Sequence, residues 1–547
     1  MRLFGTCAFV GVLVFTASPA LASVITVSPA DGTTGYTKIE GAQPGDEVVI
    51  APGTYTYRVY LTQTATAQQP IYIHAQDPTN PPVWDFGSTL VENAPGSYTA
   101  PDKNRGCWQV SGASNIVIEG IVFKDCRAAD YDSAGLRYYG GTTGLVLRDC
   151  VFEDNDNGLT GGTEASEATV EFCEFASNGN TSASTSSPTH NVYIYGGTFT
   201  MRFSYLHDPT QGQDLHCRAV TSLIEYNWFD RAKSYVGDLM TSDDYANNPT
   251  GSDAQSMTLL GNVIIESPNQ ANTGQIIAMY NDEASGSPVS FTVTALYNTV
   301  IGAGAHANFL HVSNADGTQM AVQASNNIIY GTSEPFLIED TTKGSVTGKN
   351  NWVQTGASMT ALTLSGTIQG TSPGFNDAAN DDFTLASGSA CIGAAAAVTP
   401  LAVDEYYENE TVTREYRVRA TANDLGAFEH DTTGAGMAPG DGGVVVGGGQ
   451  EGGAGTTSGV SSSGSGGSST GGSSGTTGGG TGAADASATD AGMGAATGKS
   501  GCGCTAAGAG GSGWSAVTGL SATLLLALRQ RARRRRTKSS PLTSRSS

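Results

Sequence analysis

Four short runs carry the side chains best suited to chemistry: Gly135-Leu136-Arg137-Tyr138, Gly158-Leu159-Thr160, Asn191-Val192-Tyr193-Ile194-Tyr195 and Leu215-His216-Cys217-Arg218. Read as strands, they alternate sides, so Arg137, Thr160, Tyr193, Tyr195, His216 and Arg218 share one outward face. A histidine there can move protons, arginines can neutralise an anionic group, and tyrosines offer a flat surface to a ring. His190, His207, Asp214 and Lys233 fall at adjacent turns; His190 extends the binding set and Lys233 is a second candidate base. Asp238, Asp243 and Asp244 follow, an oxygen-rich group of the type that holds calcium. Two plainer readings stand beside these: a solvated sheet face with each arginine paired to an aspartate, and a polar loop around the three aspartates. Hydrolytic chemistry would need two carboxylates across a groove, and Asp214 and Asp238 are the candidates for it.

The element that must position these residues is a repeat. Eight segments share one core pattern: IVIEGIVF from Ile116, LVLRDCVF from Leu145, ATVEFCEF from Ala168, FTMRFSYL from Phe199, SLIEYNWF from Ser222, MTLLGNVI from Met257, VTALYNTV from Val293 and VQASNNII from Val322. Their starts are 29, 23, 31, 23, 35, 36 and 29 residues apart, so a constant core is joined by loops of varying length, the mark of stacked coils. The third position reads Ile118, Leu147, Val170, Met201, Ile224, Leu259, Ala295 and Ala324, all apolar and therefore inward. The fourth reads Glu119, Arg148, Glu171, Arg202 and Glu225, an alternation of sign that places opposite charges on neighbouring strands. The sixth carries Asn227, Asn262, Asn298 and Asn327, an amide ladder at a turn. The pattern predicts an all-β fold, a single right-handed parallel β-helix over residues 23–430 with capped ends. Coils around Ile71–His74 and Cys107–Val110 precede the eight, and the Asn350-Asn351-Trp352 and Phe375 segments continue the stack.

The ends have other characters. Residues 1–22 read as a secretory signal, with Arg2, an apolar stretch and the small-residue site Ala20-Leu21-Ala22, cleaved after Ala22. Residues 431–500 are Gly, Ser, Thr and Ala, too poor in apolar surface to offset ordering, and are expected to form a disordered linker. Residues 501–547 hold Cys502 and Cys504, a short apolar helix ending near Leu528, and a block of arginines from Arg529. An ordinary tail anchor fits that last segment as well.

The chain has 27 Lys+Arg against 50 Asp+Glu. With the signal and the arginine tail set aside, only 18 basic residues face all 50 acids, which argues against nucleic acid as a partner. An acidic glycan would need a local basic site. Cys150 and Cys173 share the sixth position in adjacent coils, where a disulfide and a stack of two buried thiols are both compatible with the spacing.

Three resemblances add to this. Gly45–Tyr55 resembles the opening coil of pectate-lyase-like β-helix proteins, and Asp424–Glu429 a closing strand such proteins have. The tail's Cys motif, apolar run and Arg cluster resemble the C-terminal sorting signal of myxobacterial surface proteins, which implies processing at Cys502 or Cys504 and anchoring to the outer membrane or cell surface. Arg218–Phe229 resembles a segment of the chondroitinase B and alginate lyase β-helix lyases, where a Lys takes the proton at C5 of a uronic acid with calcium on the carboxylate. Here Arg218 stands at that Lys position, and Gly237–Asp244 lacks the arginine that follows in those enzymes. The expectation is an exported, surface-anchored β-helix protein that engages polysaccharide. In a catalytic form, His216 or Lys233 would be the base of a β-elimination, Arg218 or Arg137 would neutralise the carboxylate, and calcium is a possible cofactor. The other expectation is a non-catalytic adhesin or structural rod on a Gly/Ser stalk.

Overall fold

The computed structural model describes residues 22–97, 100, 102–163, 165–183, 189–242, 254–268, 275–281, 290–303, 308–313, 318–405, 415–430 and 435–437. The candidate signal before Ala22, Asp243 and Asp244, and the tail with Cys502 and Cys504 lie outside them, as does nearly all of the linker.

Each repeat lays down one strand in each of three parallel sheets, and the chain rises by one strand per turn. Among the described residues the first sheet has 13 strands, from Val24–Val27 to Thr363–Ser365, and the second has 12, from Thr54–Tyr55 to Ile368–Gly370. The third has 10, from Val59–Leu61 to Phe336–Ile338. This is a right-handed parallel β-helix, the hand that a right-twisted strand imposes on parallel crossovers.

The register follows the repeat. Ile118, Leu147, Val170, Met201, Ile224, Leu259, Ala295 and Ala324 are successive partners in the first sheet and line the interior. The second sheet adds stacked rings, with Phe123, Phe152 and Phe175 at centroid spacings of 5.0 and 4.7 Å. The sign alternation is realised as ion pairs: Arg148 bridges Glu119 at 3.3 Å and Glu171 at 2.6 Å, and Arg202 reaches Glu171 at 2.7 Å. The amide ladder runs through Asn227, Asn262, Asn298 and Asn327 to Asn351, each side chain donating to the next at 2.9–3.1 Å.

Cys150 and Cys173 occupy the same turn and are buried free thiols, hydrogen-bonded to the carbonyls of Arg148 and Glu171. The disulfide among the described residues is instead Cys107–Cys126, which ties the third-sheet strand Trp108–Val110 to the turn after the second sheet. Of the two readings that spacing left open for Cys150 and Cys173, the structure has the pair of buried thiols, and the bond crosses a corner of the helix.

Residues 371–405 and 415–430 do not extend the stack. Phe375–Asp377 pairs antiparallel with Asp382–Leu385, and Asp424–Glu429 forms no strand. The segment folds back along the outside, where Gly426 N–H donates to Asn326 O and Ala427 N–H to the Thr299 hydroxyl. What it covers is an external aromatic row at the turn after the first sheet. Phe172, Phe203, Tyr226 and Tyr297 all hold φ between 50° and 56°, a left-handed conformation that costs a bulky residue about 1–2 kcal/mol. Stacking offsets that cost: Phe172–Phe203 and Phe203–Tyr226 lie at 5.0 and 5.3 Å, and Tyr416 of the returning segment stacks on Phe203 at 4.8 Å.

Candidate functional site

The third sheet carries the basic and aromatic run, and its register aligns the side chains. Gln109, Arg137, Thr160, Tyr193, His216 and Asp238 are successive partners on the strands Trp108–Val110, Ala134–Tyr138, Asn157–Gly161, Val192–Ile194, Leu215–Cys217 and Gly237–Met240. Their neighbours Leu136, Leu159, Val192, Leu215 and Leu239 or Cys217 are buried in the core, so the row faces out. Tyr139, Tyr195 and Arg218 form a second outward row, two residues further along their coils.

At its centre the face is tightly built. Arg218 Nε donates to His216 Nε2 at 3.2 Å. Nε2 must therefore present its lone pair, and neutral His216 carries its proton on Nδ1, 3.4 Å from Asp238 Oδ2. Gln213 Nε2 donates to the same Asp238 oxygen at 2.8 Å, and the Gln213 backbone N–H donates to His190 Nδ1 at 3.2 Å. The His190 ring is 4.9 Å from that of His216. Burial holds the His190 imidazole well below its ordinary value, so it is neutral. Tyr193 sets its edge against His216 at 4.3 Å and lies 4.2 Å from Tyr195. Arg137 places its guanidinium 5.3 Å from Tyr139 and 5.4 Å from Tyr195, a cation held between two ring faces. Its Nη1 and the Thr160 hydroxyl are buried without a hydrogen-bond partner.

The structure thus brings His216, Arg218, Arg137, Tyr193, Tyr195 and His190 together, and Asp238 joins them as the partner of His216. Gln213 and Tyr139 belong to the cluster and were missed. Alternation along Gly237-Asp238-Leu239 would have put Asp238 on the His216 row, but no sequence signal identifies Gln213, which sits at a corner.

Other candidates lie elsewhere. Lys233 is exposed at the turn before Gly237–Met240, its amine donating to the Thr210 carbonyl at 3.0 Å. His207 is on the second sheet, stacked on Tyr205. Burial alone would lower its imidazole, but Asp208 and Glu174 outweigh burial and bring it to about 10. Asp214 is fully buried and closes a second amide ladder, in which Asn155, Asn178 and Asn191 each donate to the next member at 2.8–2.9 Å. Burial pushes its carboxyl well above the ordinary range, and its Oδ1 is engaged by the Asn191 amide at the end of that ladder. No group of three metal-ligating side chains occurs among the described residues. Asp238 as placed serves Gln213 and His216, an arrangement unlike an oxygen cage, and Asp243 and Asp244 lie outside the described residues.

No protein-family model matches the chain, and no curated protein matches it by sequence. Solved structures do. The chain is similar to pectate lyase Pel9A, with a TM-score of 0.45 and 13% identity over 75% of this chain and 96% of that one. It is similar to an alginate lyase from Paenibacillus sp. str. FPU-7, with a TM-score of 0.39 and 13% identity over 64% of this chain and 98% of that one. It is also similar to a rhamnogalacturonan lyase, with a TM-score of 0.37 and 11% identity over 65% of this chain and 91% of that one.

Proposed function

We propose that this protein binds an acidic polysaccharide across its third sheet. The observation that carries the reading is the outward row itself. In a chain with a net charge of −23, two arginines, two histidines and three tyrosines converge on one face, and Arg137 is held between Tyr139 and Tyr195. An arginine between rings suits a sugar that bears a carboxylate, with the rings taking its apolar face and the guanidinium its charge.

In the catalytic form of this reading the reaction is β-elimination on a uronate. His216 Nε2 takes the C5 proton, the C4–O bond breaks, a C4=C5 double bond forms, and the departing oxygen takes a proton from solvent. Asp238 would stabilise the imidazolium, and Arg218 and Arg137 the carboxylate that shares the developing charge. Calcium stays a proposed participant whose ligands would be Asp243 and Asp244, outside the described residues, since Asp238 is engaged by Gln213 and His216. A second reading, a non-catalytic adhesin or rod, is favoured by one observation: His216 and Arg218 are only 6% and 3% exposed.

The deciding experiment incubates the protein with pectate, alginate and rhamnogalacturonan, with and without calcium, and follows the ultraviolet absorbance of the unsaturated product. Product that disappears in His216→Gln supports a lyase, and binding without product leaves the non-catalytic reading. Export and anchoring at the cell surface through the C-terminus belong to the same proposal. Surface proteolysis of intact cells tests them, since an anchored protein is lost to added protease and an internal one is not.

A further inference from the structure

The outward row of the third sheet is closed at one end. Gln109 stands on that row one strand before Arg137, yet it is only 2% exposed. Its amide donates to the Asp102 carbonyl at 2.5 Å, so the backbone of residues 102–106 crosses the row there. The crossing segment is a fixed wall. Arg58 Nη1 donates to the Lys103 carbonyl at 2.9 Å, Arg105 pairs with Asp130 at 2.7 Å, and the Cys107–Cys126 disulfide anchors the residue that follows. The Asp102 carboxylate lies 3.5 Å from the Tyr139 hydroxyl, so the wall presents a negative charge beside the ring that flanks Arg137. At the other end the row runs into His216 and Asp238, both buried. Between these limits Arg137, Tyr139, Tyr193 and Tyr195 are partly exposed. They span the strands Ala134–Tyr138 to Val192–Ile194, two strand spacings or ~10 Å along the helix axis.

We infer that this face reads the end of an acidic glycan chain, not its interior. The inference rests on the polysaccharide reading and deepens it by naming the part of the polymer that is bound. The accessible stretch has room for one or two sugar rings. A longer chain following the row past Arg137 meets the backbone over Gln109, and its next carboxylate approaches that of Asp102, a like-charge contact that opposes binding. A terminal uronate brings its carboxylate to Arg137 and its ring to the tyrosines, while the rest of the chain leads away from the sheet. The wall thus adds a repulsive element against internal segments to the attraction that Arg137 offers any uronate.

The test counts proteins bound per glycan chain. The full chain is titrated calorimetrically with trimers, hexamers and long polymers of galacturonate and of mannuronate. End recognition predicts one protein per chain at every length, with affinity per chain constant within about threefold. Partial acid hydrolysis of the polymer multiplies chain ends at constant uronate mass, and the binding capacity of the sample is expected to rise in the same proportion. Capacity that follows uronate mass instead, with several proteins on each polymer and no gain on hydrolysis, overturns end recognition and leaves the binding reading intact. Failure of every uronate to bind overturns the binding reading and the inference together.

Discussion

Replacing Asn262 with Ala removes an interior member of the amide ladder. Its Nδ2 donates to the Ile224 carbonyl at 2.8 Å and to Asn298 Oδ1 at 3.0 Å, while its Oδ1 accepts from the Asn227 N–H at 2.9 Å and the Asn227 amide at 3.1 Å. The residue is fully buried, so no solvent replaces these partners. Four hydrogen bonds at about 1 kcal/mol net each, with some buried groups left unsatisfied, put the loss at about 3–5 kcal/mol. That is a large part of the ~5–15 kcal/mol by which folded domains are held. Urea unfolding followed by circular dichroism and tryptophan fluorescence measures the total, and hydrogen exchange locates it. The Asn227 amide is expected to exchange faster by a larger factor than amides several coils away, because repeats couple chiefly to their neighbours. A loss below about 1 kcal/mol, or one spread evenly along the rod, would refute the ladder as a main source of stability.

Two further outcomes are expected. Burial raises the carboxyl groups of Glu225 and Glu405 to about 7 and that of Asp404 to about 6 where residues 371–430 fold back on the coils. Groups raised in the folded state stabilise it below their ordinary values, and that contribution is lost as pH climbs through the folded ones. The returning segment should therefore resist proteolysis best near pH 5 and become more susceptible between pH 6 and 8, and Glu225→Gln should flatten the profile; a pH-independent rate contradicts this. Lys233→Ala should leave glycan binding and any product formation unchanged, since its amine serves the Thr210 carbonyl at an exposed turn; a tenfold loss in either assay would return Lys233 to the site.

Repeat-level features were legible because a β-helix repeats the same contacts at each coil. The apolar third position, the charged fourth and the asparagine sixth correspond to core, ion pairs and ladder. The fifth position was not understood: Gly120, Asp149, Gly261 and Asn326 suit a left-handed turn, but Phe172, Phe203 and Tyr226 adopt it as a stacked row that Tyr416 covers at Phe203, and Tyr297 adopts it under the Arg419 guanidinium. Phe375 was read as continuing the stack and Asp424–Glu429 as a closing strand, since an apolar segment packed outside a helix has the composition of one packed inside. Facing along the third sheet followed from alternation, which gathered Arg137, Tyr193, His216 and Arg218 correctly on one side. Contacts made from corners did not follow from it, so Gln213 was missed, and Lys233 and Asp214 lie apart from the His216 row, at an exposed turn and in the buried ladder.

The most direct test of the central claim is calorimetric titration of the protein with an acidic oligosaccharide series, comparing wild type with Arg137→Ala. Arg137 lies between Tyr139 and Tyr195 and its Nη1 has no hydrogen-bond partner among the described residues, so the variant should keep its fold. Loss of one charge-assisted contact predicts affinity weaker by about tenfold or more, with uncharged oligosaccharides unaffected. Equal binding by the two proteins, or no binding of any uronate by wild type, would contradict an acidic-glycan site on this face.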